Sequence, residues 1–258
     1  PFRCLTGDVR TGSEGLSALI TLTDGFKNDR ANGVIARPGS LTNPSEIAAV
    51  AIGEMAGTNN ELAESNYLDL VLPGVDPGIV ARQAGLDWTM DYSNRDTAVK
   101  AGISPTIVEG GAVLMQNVVS FYRPATVPAT SNAYRSMRNI SIIQNFLYNF
   151  WLTFSSPKWK QFTIVKDTMN VTVAASRARA RDVDSVKDDL LALIESFAAN
   201  AWIYDKEYSI AALREATAVQ VRTGGDGFVN NLPFVLSGEG NILDTIAYID
   251  TSIAVVAA

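Results

Sequence analysis

The residues best placed by type and spacing to do chemistry are three arginines at alternate positions, Arg177, Arg179 and Arg181. On an extended backbone alternate side chains share a face, so these three, with Lys187 nearby, would form a compact basic stripe on a chain of formal net charge -6. The chemistry that fits is docking onto an acidic partner. On a helix the same residues splay around the axis, and a solvated charge run is the plainer reading. Carboxylates are the other reactive type available. Asp182, Asp184, Asp188 and Asp189 lack the glycine and closing glutamate of a calcium loop, and capping the helix expected from residue 183 accounts for them. Glu109, Asp226 and Glu239 each stand beside a glycine turn. A hydrolase built on acids needs two of them facing each other across about 5–10 Å. The glycine-rich stretches 12–15, 224–227 and 238–240 have neither the lysine of a phosphate loop nor a dinucleotide spacing, so they read as loops. Asn139-Ile140-Ser141 and Asn170-Val171-Thr172 fit the glycosylation pattern, the first of them inside a helical stretch.

Composition removes whole classes of function. The 258 residues contain no histidine, so Ser-His-Asp and Cys-His catalysis and histidine-ligated zinc are closed to the chain by itself. The single cysteine, Cys4, cannot form an intrachain disulfide. With 21 basic and 27 acidic side chains, the balance argues against a nucleic-acid surface. No apolar run reaches the length of a membrane span and no signal sequence opens the chain, which begins at Pro1 and so reads as a processed or partial chain.

The elements that must position these residues follow from apolar period. Residues 134–154 carry the strongest pattern: Met137, Ile140, Ile143, Leu147, Phe150 and Phe154 recur at steps of three and four, and Ile142, Phe146 and Trp151 widen the stripe. This predicts a buried helix, capped by Ser131 or Asn132 and ended before Pro157. A second helix is predicted from residue 183, with Val186, Leu190, Leu193 and Phe197 facing the first. Earlier, helices at 11–27, 44–57 and 93–101 alternate with β-prone runs at 34–36 and 67–72, the pattern of α/β layering. Gly110-Gly111 predicts a tight hairpin between 106–108 and 112–122. The proline-containing stretch 123–130 is the expected boundary, giving parts at 1–125 and 126–258. Further strands are expected at 162–165, 219–222, 232–236 and 242–250.

Taken together, AGISPTIVEGGAVLMQNVVSFY at 101–122, the segment 135–150, the helix at 183–201 and FVLSGEGNILDTIAYID at 234–250 resemble the tail sheath proteins of contractile phages and related injection machines. The likeness covers residues 101–258 well and the first hundred loosely. Ser120-Phe121-Tyr122 stands where that family has two threonines before a strand-ending tyrosine, and the family's N-terminal arm and opening domain have no counterpart among these residues. The resemblance implies an α/β fold: an incomplete subtilisin-like layered part, followed by an α+β sheath domain with two long helices and terminal strands. It implies a structural homopolymer that rings an inner tail tube protein, meets baseplate and terminator proteins, and contracts. No enzyme activity, cofactor, metal, direct nucleic-acid contact or membrane insertion belongs to it. Its setting is the phage tail, assembled in the bacterial host cytoplasm. It also implies an inter-subunit strand near the C-terminus, here Ile246, Tyr248, Ile249, Ile253, Val255 and Val256, and gives Arg177, Arg179, Arg181 and Lys187 a role facing the tube. A carboxylate hydrolase and a globular module with a basic stripe are the competing readings.

Overall fold

A computed structural model of the chain describes residues 4–61, 67–78, 85–123 and 134–237. Its first layer is a four-stranded sheet in the order β1 (Cys4–Asp8), β2 (Asn32–Ala36), β3 (Ile103–Glu109), β4 (Ala112–Met115). The first three strands run parallel and the fourth returns antiparallel. Parallel strands need crossovers, and helices supply them: α1 (Gly12–Asp24) between β1 and β2, then α2 (Pro44–Glu61) and α3 (Tyr92–Lys100) between β2 and β3. Side chains alternate across β2, so Val34 and Ala36 pack with Leu16 and Leu19 of α1 and Ala98 of α3 on one face. Ile35 packs with Ile47, Ala51 and Met55 of α2 on the other. Both faces are therefore covered, which explains why β2 reads as a continuous apolar run.

The hairpin forms where expected. Gly110 and Gly111 take φ of +56° and +87°, the left-handed pair that a two-residue turn requires. At Gly7 the requirement is space, because a Cβ there would lie 1.8 Å from the carbonyl oxygen of Pro44 at the start of α2. Gly7→Ala must push α2 off the sheet, with an expected cost of about 1–3 kcal/mol in a thermal melt.

Helix α4 (Met137–Phe154) links the sheet to the second half. Met137 and Ile140 belong to the core around α2, whereas Ile142 and Phe146 belong to a second core with α6 (Val183–Ala199) and α7 (Lys206–Arg214). There Phe197 stacks on Phe146 at 4.4 Å between ring centroids. The cap is Ser136, whose side chain accepts from the Arg138 amide, not Ser131 or Asn132, which lie outside the described residues. The helix is also not buried all round. Leu147, Tyr148, Trp151 and Leu152 are 60%, 58%, 62% and 52% exposed, because the second core touches only the opposite side of its later turns.

Several expected strands are shorter or absent. Residues 67–72 bury Tyr67 and Leu72 but form no strand on β4, meeting it through a bridge from Val71 to Leu114 and a bond from the Asp69 amide to the Met115 carbonyl at 2.8 Å, since Asp69 at φ 60° breaks the extended path. The strand expected over 112–122 stops at Met115; beyond it Phe121 donates its amide to the Asn32 carbonyl, carrying the chain across to the start of β2. Strand β5 (Thr163–Ile164) pairs only with β6 (Ala180–Arg181), one step before α6. Residues 232–236 form no strand beyond a bridge from Leu236 to Ile203. The antiparallel partner of β7 (Val219–Val221) is instead β8 (Phe228–Asn230), directly after the glycine loop. Helix α7 has no counterpart in the sequence reading.

Candidate interaction surfaces

In open α/β sheets ligands usually bind beyond the carboxyl ends of the parallel strands. Here a buried pair takes up part of that crevice, beside a cavity of about 380 Å³ lined by Asp87, Thr89, Arg95, Val108 and Glu109. Arg37, the residue after β2, is fully buried, and its guanidinium pairs with Asp87 while donating to the Thr89 hydroxyl at 2.9 Å and the Pro77 carbonyl at 3.2 Å. Asp87 in turn accepts from the Thr89 amide at 3.0 Å, so its charge is met from two sides. The candidate acids are not converged: Glu109 ends β3 at the sheet hairpin, whereas Asp226 ion-pairs with Arg222 at 3.6 Å in the β7–β8 turn. Glu239 lies outside the described residues. Among the described residues no group of three acidic or cysteine side chains is placed to hold a metal ion.

The arginine series does not form one face. Arg177 closes the short helix α5 (Ala174–Arg177) and Arg181 sits in β6, so the backbone between them is not extended throughout. Arg177 donates to the Met169 carbonyl at 3.0 Å, and Arg181 donates to the carbonyls of Ala180 and Lys158 at 2.6 and 2.8 Å. Arg179 is exposed and lines a pocket of about 550 Å³ with Thr163 and Ser176. Lys187 is directed elsewhere, to the Glu215 carbonyl at 3.2 Å.

The acidic cluster serves architecture. Asp182 is the N-cap of α6 and forms a capping box with Ser185, and it also accepts from the Thr168 amide at 2.9 Å. Burial pushes its pKa up, but hydrogen bonds from the Ser185 and Thr168 hydroxyls and amides outweigh it and hold the carboxyl at about 2, below its usual 3.8. A lowered pKa stabilises the fold above the unfolded value, and the contribution is lost as pH falls from about 4 toward 2. Asp182→Ala should cost about 0.5–2 kcal/mol at neutral pH and flatten that acid limb, as read from melting temperature between pH 6 and 2. Asp189, which the sequence places near the helix start, reaches outward: it accepts from Trp159 Nε1 and Lys158 Nζ, both at 2.6 Å, tying α6 to the turn at Pro157–Trp159. Only the tertiary packing reveals that contact.

Two surface features were not legible in the sequence. One is the exposed side of α4. The other is a groove of about 390 Å³ between α2 and α4, lined by Ile52, Met55, Met137, Ser141 and Asn145 among others. The C-terminal segment holding Ile246, Tyr248, Ile249, Ile253, Val255 and Val256 lies outside the described residues, which end at Ser237.

No family model and no curated protein matches the chain. Solved structures do. A chain of the anti-feeding prophage baseplate, solved by cryo-electron microscopy with 6-fold symmetry, is similar at a TM-score of 0.56 and 11% identity over 95% of this chain. The crystal structure of a sheath tail protein from Desulfitobacterium hafniense gives a TM-score of 0.48 and 10% identity over 89% of this chain. The chain spans 60% of the first of these and 56% of the second. The mixed sheet with helices on both faces, continued through α4 into the α6–α7 core, is a fold similar to that of the baseplate chain.

Proposed function

We propose that this chain is a structural subunit of a contractile tail, not an enzyme. Copies ring an inner tube, stack into a helical sleeve between baseplate and terminator proteins, and shorten together. The observation that carries this reading is the fold shared with a baseplate chain over 95% of the sequence. The β1–β4 layer is then the counterpart of the subtilisin-like sheath region, and the α4–α6–α7 part that of the sheath domain. Contraction would draw on energy stored at assembly, the extended lattice being a trapped state, and needs no nucleotide or other cofactor. Subunits that rotate without separating need backbone links, which the apolar run from Ile246 to Val256 supplies as a strand added to a neighbour's sheet edge. Arg179, whose side chain faces outward, is the best of the basic residues for meeting an acidic tube. The particle is the tail of a phage or related injection machine, assembled in the bacterial cytoplasm.

Electron microscopy of the chain produced together with its tube protein tests the reading. Tubes of regular diameter are expected. Deleting residues 251–258 should leave a folded, soluble chain that no longer forms them. Normal tubes from the shortened chain would remove the strand link, and discrete monomers from the intact chain would favour a simple binding module.

A further inference from the structure

Among the described residues the guanidinium of Arg30 is positioned by stacking alone. Its central carbon lies 5.0 Å from the centre of the Tyr122 ring and 4.7 Å from that of Tyr134, and the two rings meet edge to face at 6.1 Å. The residue is exposed, and no hydrogen bond or ion pair among the described residues takes up its side-chain N–H groups. A planar guanidinium fixed on aromatic faces with its donors free is prepared for a carboxylate from outside. Other cations gather round it. Arg123 and Arg135 follow the two tyrosines in sequence, and the Arg123 amide donates to the Lys27 carbonyl at 2.8 Å. The nearby acids do not balance them: Asp24 is 3.4 Å from Arg123, Asp29 accepts from the amides of Ala31 and Asn32, and residues 124–133 contain no acidic side chain. Phe26, 49% exposed and stacked on Phe121, gives the cluster an apolar centre.

A complementary surface lies on the same chain. Along the outer side of α6, Asp184, Asp188, Leu191 and Glu195 follow at helical steps of four and three, and each of them is exposed. Lys206 meets Glu195 at 3.2 Å, whereas Asp184 and Asp188 have no ion pair among the described residues. We propose that the Arg30 cluster of one copy docks on the α6 stripe of a second copy. Carboxylates one helical turn apart, as Asp184 and Asp188 are, can share one guanidinium, and the fork of Arg30 has donors for both. Phe26 and Leu191 then meet between the charges. Charge also dictates the order, because two basic clusters repel each other, as do two acidic stripes, so the contact joins unlike faces. Such a head-to-tail contact repeats from copy to copy and builds a ring or a helical filament, not a closed two-fold dimer. It rests on the sheath reading for its setting, a polymer of this chain, and adds to it a side-chain interface separate from the terminal strand.

Two charge-reversed chains test the contact. In one, Lys27→Glu and Arg30→Glu remove the basic pole; in the other, Asp184→Lys and Asp188→Lys remove the acidic pole, while Asp182, the cap of α6, is kept. By sedimentation at low salt the unaltered chain should form a ladder of oligomers that shortens as added salt screens the contact. Each reversed chain alone should associate at least about tenfold more weakly. Mixed, the two should stop at one-to-one complexes, because a single good contact joins them. A chain carrying all the reversals regains both poles with their signs exchanged and should associate with itself again, which a misfolded variant would not do. Equal association of all these chains would overturn the proposal and leave the sheath reading standing. Reversed chains that associate normally but no longer bind the tube protein would assign the cluster to the tube and likewise overturn it. An unaltered chain that stays monomeric would overturn the proposal together with the polymer.

Discussion

Arg37→Ala is expected to destabilise the chain by about 3–5 kcal/mol, because it leaves the Asp87 carboxylate buried with its partner gone. Arg37 is 0% exposed and ties the end of β2 to the turn at Trp88–Met90, so the loss is felt by two elements far apart in sequence. Three contacts go at once: the ion pair with Asp87, the bond to the Thr89 hydroxyl and the bond to the Pro77 carbonyl. Asp87→Ala should be comparably severe, since it strands a guanidinium and also removes the cap of the turn. The double change Arg37→Met with Asp87→Leu separates charge burial from packing. If the unpaired charge is what costs, the double variant should be markedly more stable than either alanine variant. Chemical denaturation of the three proteins checks this, and equal losses in all three would assign the effect to packing.

Phe197→Ala should cost about 3–5 kcal/mol. Its ring is fully buried and lies within 6 Å of four others, Phe146 at 4.4 Å, Trp202 at 5.6 Å, Phe150 at 5.8 Å and Phe234 at 5.9 Å between centroids. Removing it opens a cavity shared by α4, α6 and the segment leading to Ser237, and aromatic rings on rigid helices collapse into such a space poorly. Leu147→Ala is the informative contrast. The apolar periods of α4 and α6 give Leu147 and Phe197 the same standing in the sequence, yet Leu147 is 60% exposed and its loss should cost less than about 1 kcal/mol. Thermal melts of the two variants, side by side, measure how far the second core extends around α4.

The sequence by itself determined the helices whose apolar stripe and caps are both local. The α4 and α6 periods, the Asp182 cap, and the paired glycines of the β3–β4 turn are written in residues a few positions apart, and the backbone obeys them. The absence of histidine likewise closed the familiar hydrolytic mechanisms before any fold was known. Alternation and β-propensity were poorer guides, because a strand exists only if a partner edge lies alongside. Residues 67–72 and 232–236 have suitable side chains but meet their neighbours through isolated bridges and a few backbone hydrogen bonds, while Phe228–Asn230 gains a full partner in β7. Tertiary structure also decided which polar groups were spent internally. Three arginines that look equivalent in sequence divide into two bonded to backbone carbonyls and one facing a pocket. Arg37 and Asp87, fifty positions apart, give no local sign of their pairing. Local hydrogen bonds and helical period act within a turn or two and are therefore legible in the chain, whereas burial and pairing depend on which distant surface arrives, and only the packed structure fixes that.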